Sequence, residues 1–248
     1  MSLEKMSLQK FKLVWNETCS VCNIKHSVKT KQQCKYKNNF NLVISELIKK
    51  IPKDKHLHNL NIICPEGVID GCLFTKEKRQ ELYGIIAGGG GSKKPEEYQR
   101  EQIVLGTGYP CNTTKTRINW RKNEMLENAQ PMRKEDGFDY TENFDGKQVF
   151  SSKFSVWINL KSVVGTGGSQ TRTLRDECYK FVYAQLEYLL KSKNTDCYFA
   201  NIFDGDEASS KMKMFHYLLE LPEFSTVKKY VYVGDLKCYF EWVNANVY

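Results

Sequence analysis

No stretch of this sequence approaches the ~18–20 consecutive apolar residues that a membrane helix requires, so a membrane-spanning chain is not expected. The opening MSLEKMSLQK has no apolar core segment of the kind a secretion signal carries. The default expectation is therefore a soluble, intracellular, cytoplasmic protein. No internal repeat, Walker phosphate loop or Ser-His-Asp order is visible. Gly165-x-Gly167-Gly168 lacks the GxGxxG spacing of a dinucleotide-binding turn, which sets aside a Rossmann reading.

What is present suits a folded chain. The 248 residues, 41% of them apolar, are enough for one large domain or for a core with a smaller appended module. Lysine and arginine number 37 against 29 acidic residues, a net charge of +8. That excess permits a polyanionic partner without requiring one. The nine cysteines are odd in number, and without a secretion signal they read as thiols or metal ligands rather than disulfides.

The clearest break in composition is Gly88-Gly89-Gly90-Gly91-Ser92, followed by Lys93-Lys94-Pro95. Such a stretch has few side chains to pack and reads as a flexible linker, native or inserted by engineering, and no function is placed on it. It divides the chain into an N-terminal accessory or target-recognition region (1–87), a linker (88–95) and a core domain (96–248). In the first region Phe40–Ile51 reads as a helix ended by Pro52, Leu60–Cys64 as a short strand, and Thr75–Tyr83 as a second helix. Beyond the linker, Glu97–Val104 is weakly helical, and Gly106 to Gln130 is a long polar stretch.

The last hundred residues are more regular. Lys147–Phe150 and Phe154–Leu160 read as paired strands. A glycine-rich turn, Gly165 to Ser169, leads into a helix over Thr171–Leu190, with Leu174, Cys178, Phe181, Val182, Leu186 and Leu189 on one face. Cys197–Phe203 reads as a buried strand, Lys211–Leu221 as a helix and Lys229–Val233 as a further strand. The order β-β-α-β-α-β predicts an α/β fold, a mixed sheet flanked by helices.

One constellation in this region carries chemistry. Asn159 and Lys161, at i and i+2 of a strand, project to the same face, and a hairpin can bring Asp145 beside them. Phosphodiester cleavage needs a hard cation held by oxygen ligands, and Mg²⁺ is the natural candidate. Asp145 would supply a carboxylate, the backbone carbonyl of Leu160 a second oxygen, and Asn159 its amide oxygen, directly or through water. Lys161 would orient the attacking water or help deprotonate it.

Asp-x(n)-(Asp/Glu)-x-Lys on adjacent strands, followed by a helix, is the signature of the PD-(D/E)XK nuclease superfamily, and this chain resembles a type II restriction-endonuclease-like variant of it. Phe144 stands at the proline position and Asn159 at the second acidic position. The resemblance runs from about Gly137 to Phe203, through GFDYTENFDG and VWINLKSVVGTGGSQTRTLRDECYKF. It implies a restriction-endonuclease-like core and a hydrolase of restriction–modification type, a Mg²⁺-dependent, sequence-specific endonuclease for double-stranded DNA. Gln170, Arg172 and Arg175 at the helix start, with Lys115, Arg117, Arg121 and Lys122 upstream, would contact the DNA. A palindromic target would favour a homodimer, although monomeric restriction enzymes exist.

Blander readings stand beside these. Asp145-Gly146 is also a common hairpin turn, a lysine at a strand end is usually solvated, and Asp139 and Glu142 fit a surface as well as a site. Asp204 and Asp206 close a strand where α/β sites collect, and Asp206 also suits a helix cap. Cys19-x-x-Cys22 has the spacing of half a zinc knuckle, with His26, Cys34, Cys64 or Cys72 as candidate partners, while ordinary thiols are the simpler reading. His56 and His58 read as surface residues. The alternatives to a restriction-type enzyme are a nucleic-acid-binding module with a structural zinc and no catalysis, a nuclease for RNA or for damaged or branched DNA, and a structural or interaction protein.

Overall fold

The computed structural model describes residues 47–51, 93–119, 123–127, 141–151, 154–162, 173–194, 196–204, 208 and 211–246. The expectations for Leu60–Cys64, Thr75–Tyr83, the zinc half-site Cys19 and Cys22, and the glycine-rich turn lie outside these residues. Of the helix expected over Phe40–Ile51, the described part holds one helical turn, closed by Lys50 N–H donating to the Leu47 carbonyl at 3.1 Å.

The first long element is helix α1 (Lys93–Thr107). Lys93, Lys94 and Pro95, read from composition as linker, form its opening turn. Proline costs little there, because the first helical N–H groups have no partner inside the helix. The polar stretch that follows is more structured than its composition suggests. It contains β1 (Cys111–Asn112) and a small ribbon of β2 (Arg117–Asn119) and β3 (Glu124–Leu126). Strands of two or three residues are too short to show a period of two.

The main sheet has five strands in the order β1-β4-β5-β6-β7, adding β4 (Gly146–Val149), β5 (Ser155–Ser162), β6 (Cys197–Asp204) and β7 (Val231–Gly234). The pairs β1–β4 and β4–β5 are antiparallel, whereas β5–β6 and β6–β7 are parallel. The hairpin and mixed sheet expected from the sequence are therefore present. A π-helical turn (Thr173–Cys178) leads into α2 (Tyr179–Ser192), and α3 (Met212–Leu219) and α4 (Leu236–Asn246) complete the fold.

Two apolar layers sandwich the sheet. Trp157, Phe199 and Phe203 face the layer of α2 and α3, where Phe181, Leu186 and Phe215 pack. Val156, Ile158, Leu160 and Ile202 face the other layer, with Ile103 of α1 and Leu236, Tyr239 and Val243 of α4. Strands buried on both faces read as continuous apolar runs, which is why β5 and β6 stand out in the sequence. Helices α1 and α4 approach closely at Gly106, where a β-carbon would lie 2.3 Å from the Phe240 ring. Among the described residues no helix is long and apolar enough to cross a membrane.

Among the described cysteines, Cys111, Cys178 and Cys197 are free thiols. Cys238 departs from the expected thiol state: it is disulfide-bonded.

Candidate active site at the end of the hairpin

Phe144 and Asp145 lead into β4. Phe144 is fully buried, its ring 4.7 Å from that of Phe181 and stacked 5.3 Å from that of Phe199. The residue at the proline position is thus an aromatic anchor for the segment that carries Asp145. The Asp145 N–H donates to the Ile158 carbonyl at 2.8 Å, and its Oδ2 accepts the Leu160 N–H at 2.8 Å. A side-chain oxygen therefore takes the place of a ladder carbonyl at the end of the hairpin. In an antiparallel ladder the N–H and C=O of one residue point to the same edge. The Leu160 carbonyl consequently points to the edge where Asp145 sits. Among the described residues Oδ1 of Asp145 has no hydrogen-bond donor.

Lys161 lies one residue further along β5. Its Nζ is 3.9 Å from Glu142 Oε2. Burial opposes its charge, but Asp145, the Cys178 sulfur, Glu142 and Glu96 together outweigh that and hold the ammonium above the usual lysine range. Asp145 is pushed the other way. Burial raises its carboxyl and Glu142 adds to the effect, while Lys161, the Leu160 N–H and Arg100 counter it only in part.

The sequence reading did not single out Glu96 and Arg100. Both lie on α1, one turn apart. Arg100 Nη1 donates to the Asp145 carbonyl at 3.3 Å. Burial raises the Glu96 carboxyl, Asp145 raises it further, Lys161 and Arg100 lower it, and Glu142 raises it again. Three carboxyl groups thus share the neighbourhood of two cations. Among the described residues no group of three or more His, Cys, Asp or Glu side chains could by itself hold a metal ion. Magnesium does not require one, since it commonly uses one or two carboxylates and keeps waters and substrate phosphates. Asp145 Oδ1 and the Leu160 carbonyl are hard oxygens of the kind it takes, beside an excess of negative charge, so the donor set fits.

Asn159 is 2% exposed, and its amide nitrogen Nδ2 donates to Asn201 Oδ1 at 3.3 Å. Asn201 also accepts from Gln185 Nε2 at 3.0 Å and donates to Gln185 Oε1 at 2.7 Å and to the Tyr232 carbonyl at 3.2 Å. All four hydrogen-bonding positions of the Asn201 amide are used. This network ties β5, β6, β7 and α2 together inside the core.

Only some of the residues expected to contact DNA lie among the described residues. Arg175 is exposed on the π-helical turn, Lys115 is exposed, and Arg117 is half-buried in β2. Gln170, Arg172, Arg121 and Lys122 lie outside the described residues. Asp204 is fully buried at the end of β6, and Cys178 is a core residue 2% exposed, its thiol pushed by burial up to about 12. A cleft of about 560 Å³ lined by Glu97, Arg100, Glu101, Val104, Leu105 and Cys111 adjoins the site through Arg100.

Gly146 is required by close approach. A β-carbon there would lie 2.8 Å from Cys111 Sγ. Gly146→Ala is expected to lower stability by about 1–3 kcal/mol. In the Cys111→Ala background most of that loss should disappear, as measured by chemical denaturation of the four species of the cycle. Equal losses in both backgrounds would place the strain elsewhere.

The raised Asp145 carboxyl has a pH consequence. A group that holds its proton more tightly when folded contributes stability that is complete below its unfolded value, near about pH 4, and is lost as pH rises through its folded value. In metal-free buffer Asp145→Asn should therefore lose less melting temperature than the wild type between about pH 4 and pH 7. Parallel curves for the two proteins would contradict this.

No protein family, characterised protein or solved structure matches the chain.

Proposed function

We propose that this chain is a Mg²⁺-dependent endonuclease of restriction type that hydrolyses phosphodiester bonds in double-stranded DNA at specific sequences, on a restriction-endonuclease-like core. The observation that supports it most is the meeting of Asp145, the Leu160 carbonyl edge and Lys161 at one end of the β4–β5 hairpin, with more carboxylate than the neighbouring cations balance.

Asp145 Oδ1 and the Leu160 carbonyl would hold the ion. A bound Mg²⁺ would acidify the attacking water and offset charge on the phosphate. Lys161 stays an ammonium at neutral pH. Its role is therefore to hold the water and stabilise the pentavalent phosphate by charge and hydrogen bonding, rather than to remove a proton. Asn159 serves by fixing β5, so that Leu160 and Lys161 keep their register. Arg175 and Lys115 are exposed cations suited to phosphate contacts, which position the duplex, while base edges read in a groove would set the sequence.

One observation favours a second reading, a nucleic-acid-binding module without catalysis. An asparagine occupies the second acidic position, and its amide nitrogen is bound to Asn201 in the core. Incubation with plasmid DNA and Mg²⁺ separates the two. Discrete fragments with common ends support the first reading. Intact plasmid with salt-dependent binding supports the second.

A further inference from the structure

Asp145 can hold a cation only if the segment that delivers it is fixed, and that segment hangs on the edge of β2. We propose that Thr141 is a positioning residue for the cation site, its hydroxyl locking residues 141–145 onto β2 so that the strand and the Asp145 carboxylate move as one unit. This rests on the nuclease reading above and names a residue outside its motif.

Three hydrogen bonds make the attachment. The Thr141 N–H donates to the Ile118 carbonyl at 2.8 Å, and the Ile118 N–H donates back to Thr141 Oγ1 at 3.0 Å. Two residues earlier, the Thr116 carbonyl accepts the Phe144 N–H at 3.0 Å. The Thr141 hydroxyl also donates to the Glu142 carbonyl at 2.9 Å, so it both accepts and donates. Thr116, Ile118, Thr141 and Phe144 are all buried, and a lost bond there leaves a backbone group without a partner.

Thr141 Oγ1 thus stands where a neighbouring strand would present a carbonyl, as Asp145 Oδ2 does for the Leu160 N–H at 2.8 Å. The segment is clamped by one side-chain oxygen at each end, to β2 at Thr141 and to β5 at Asp145, with the Phe144 ring buried between them. Asp145 cannot shift far without opening one of the two clamps. Ligand groups must be held to within about 0.5 Å, and partners one bond removed from the ligands commonly change metal affinity by about 10–100-fold. Thr116 lies between Lys115 and Arg117, two of the cations expected to contact DNA, so the same bonds tie the cation site to that stretch of chain.

The test combines hydrogen exchange with calorimetric titration of Mn²⁺ into the metal-free full-length protein. In the wild type, at free Mn²⁺ about ten times Kd, the Ile118, Phe144 and Leu160 amides should all slow by about tenfold, because opening the Thr141 clamp releases Asp145 and the ion with it. Slowing at Leu160 with Ile118 unchanged would overturn the assignment. Thr141→Val keeps the side chain's shape and removes the hydroxyl, and it should weaken Mn²⁺ binding by about tenfold or more. Thr141→Ser keeps the hydroxyl and should restore most of the affinity. A folded Thr141→Val with wild-type affinity, or a Thr141→Ser as weak as Thr141→Val, would make Thr141 a packing residue and overturn the assignment. Loss of binding in Asp145→Asn alongside that result would leave the nuclease reading standing. If Thr141→Val does not fold, the exchange comparison decides alone. A wild-type protein that takes up no Mn²⁺ would overturn both.

Discussion

Replacing Lys161 with alanine is expected to lower DNA cleavage by about a hundred- to a thousandfold, the usual cost of removing one positioned donor from a phosphoryl or acyl transition state. The ammonium sits at the end of β5 with Glu142 at 3.9 Å and Asp145, Cys178 and Glu96 in its field. The carboxylates among these groups keep it charged, so the loss should appear in the rate rather than in affinity for DNA. Binding at fixed salt should change little, since one phosphate contact among several carries only part of the electrostatic term. Alanine also removes a cation that counters the raised Asp145 carboxyl. The metal-free Lys161→Ala protein should therefore lose more melting temperature than the wild type as pH rises from about 4 to 7. A variant that cuts at the wild-type rate would remove Lys161 from the mechanism.

The second large effect concerns the scaffold. Asn201→Ala should destabilise the fold by about 3–4 kcal/mol, a large share of the ~5–15 kcal/mol that holds a typical domain together. Asn201 is fully buried and its amide serves Asn159, both ends of Gln185 and the Tyr232 carbonyl. Truncation leaves these groups without partners in a low-dielectric core, where an unmade hydrogen bond costs most. Asn201→Leu restores volume but not partners, so it should recover only a small part of the loss. Urea denaturation checks both variants. A cost below about 1 kcal/mol for Asn201→Ala would show that packing rather than the amide network fixes β5.

The parts of the fold legible in the sequence are those where burial writes a local pattern. β5 and β6 lie between two apolar layers and read as apolar runs, and the buried stripe of α2 repeats at helical spacing. Asp145 and Lys161 were legible for the same reason, since strand parity and the hairpin place them at one end. Elements whose signals are polar or long-range were harder to read. α1 looked weakly helical because Glu96 and Gln99 interrupt the apolar stripe on its inner face. That polarity is also what makes the helix part of the candidate site, and the interruption was the available signal.

α4 was missed for a different reason. Asp235 caps it by accepting the Cys238 N–H at 2.8 Å, and Leu236, Tyr239 and Val243 follow at helical spacing. Only Asp235 separates α4 from β7, so its apolar positions run on from those of the strand. The environment of Asn159 could not be read locally at all. Parity correctly puts it on the face of Lys161, but its enclosure depends on Gln185 and Asn201, which are remote in sequence. An amide at the acidic position of a nuclease motif and an amide serving a core network look identical in one sequence.

The most direct test of the account is digestion of supercoiled plasmid by the full-length protein, with the wild type, Asp145→Asn and Lys161→Ala run side by side in Mg²⁺ and in EDTA, and the fragment ends sequenced. The account predicts discrete fragments sharing one end sequence from the wild type in Mg²⁺ alone, and intact DNA from both variants. Intact DNA in every lane, or equal cleavage by Lys161→Ala and the wild type, would contradict it.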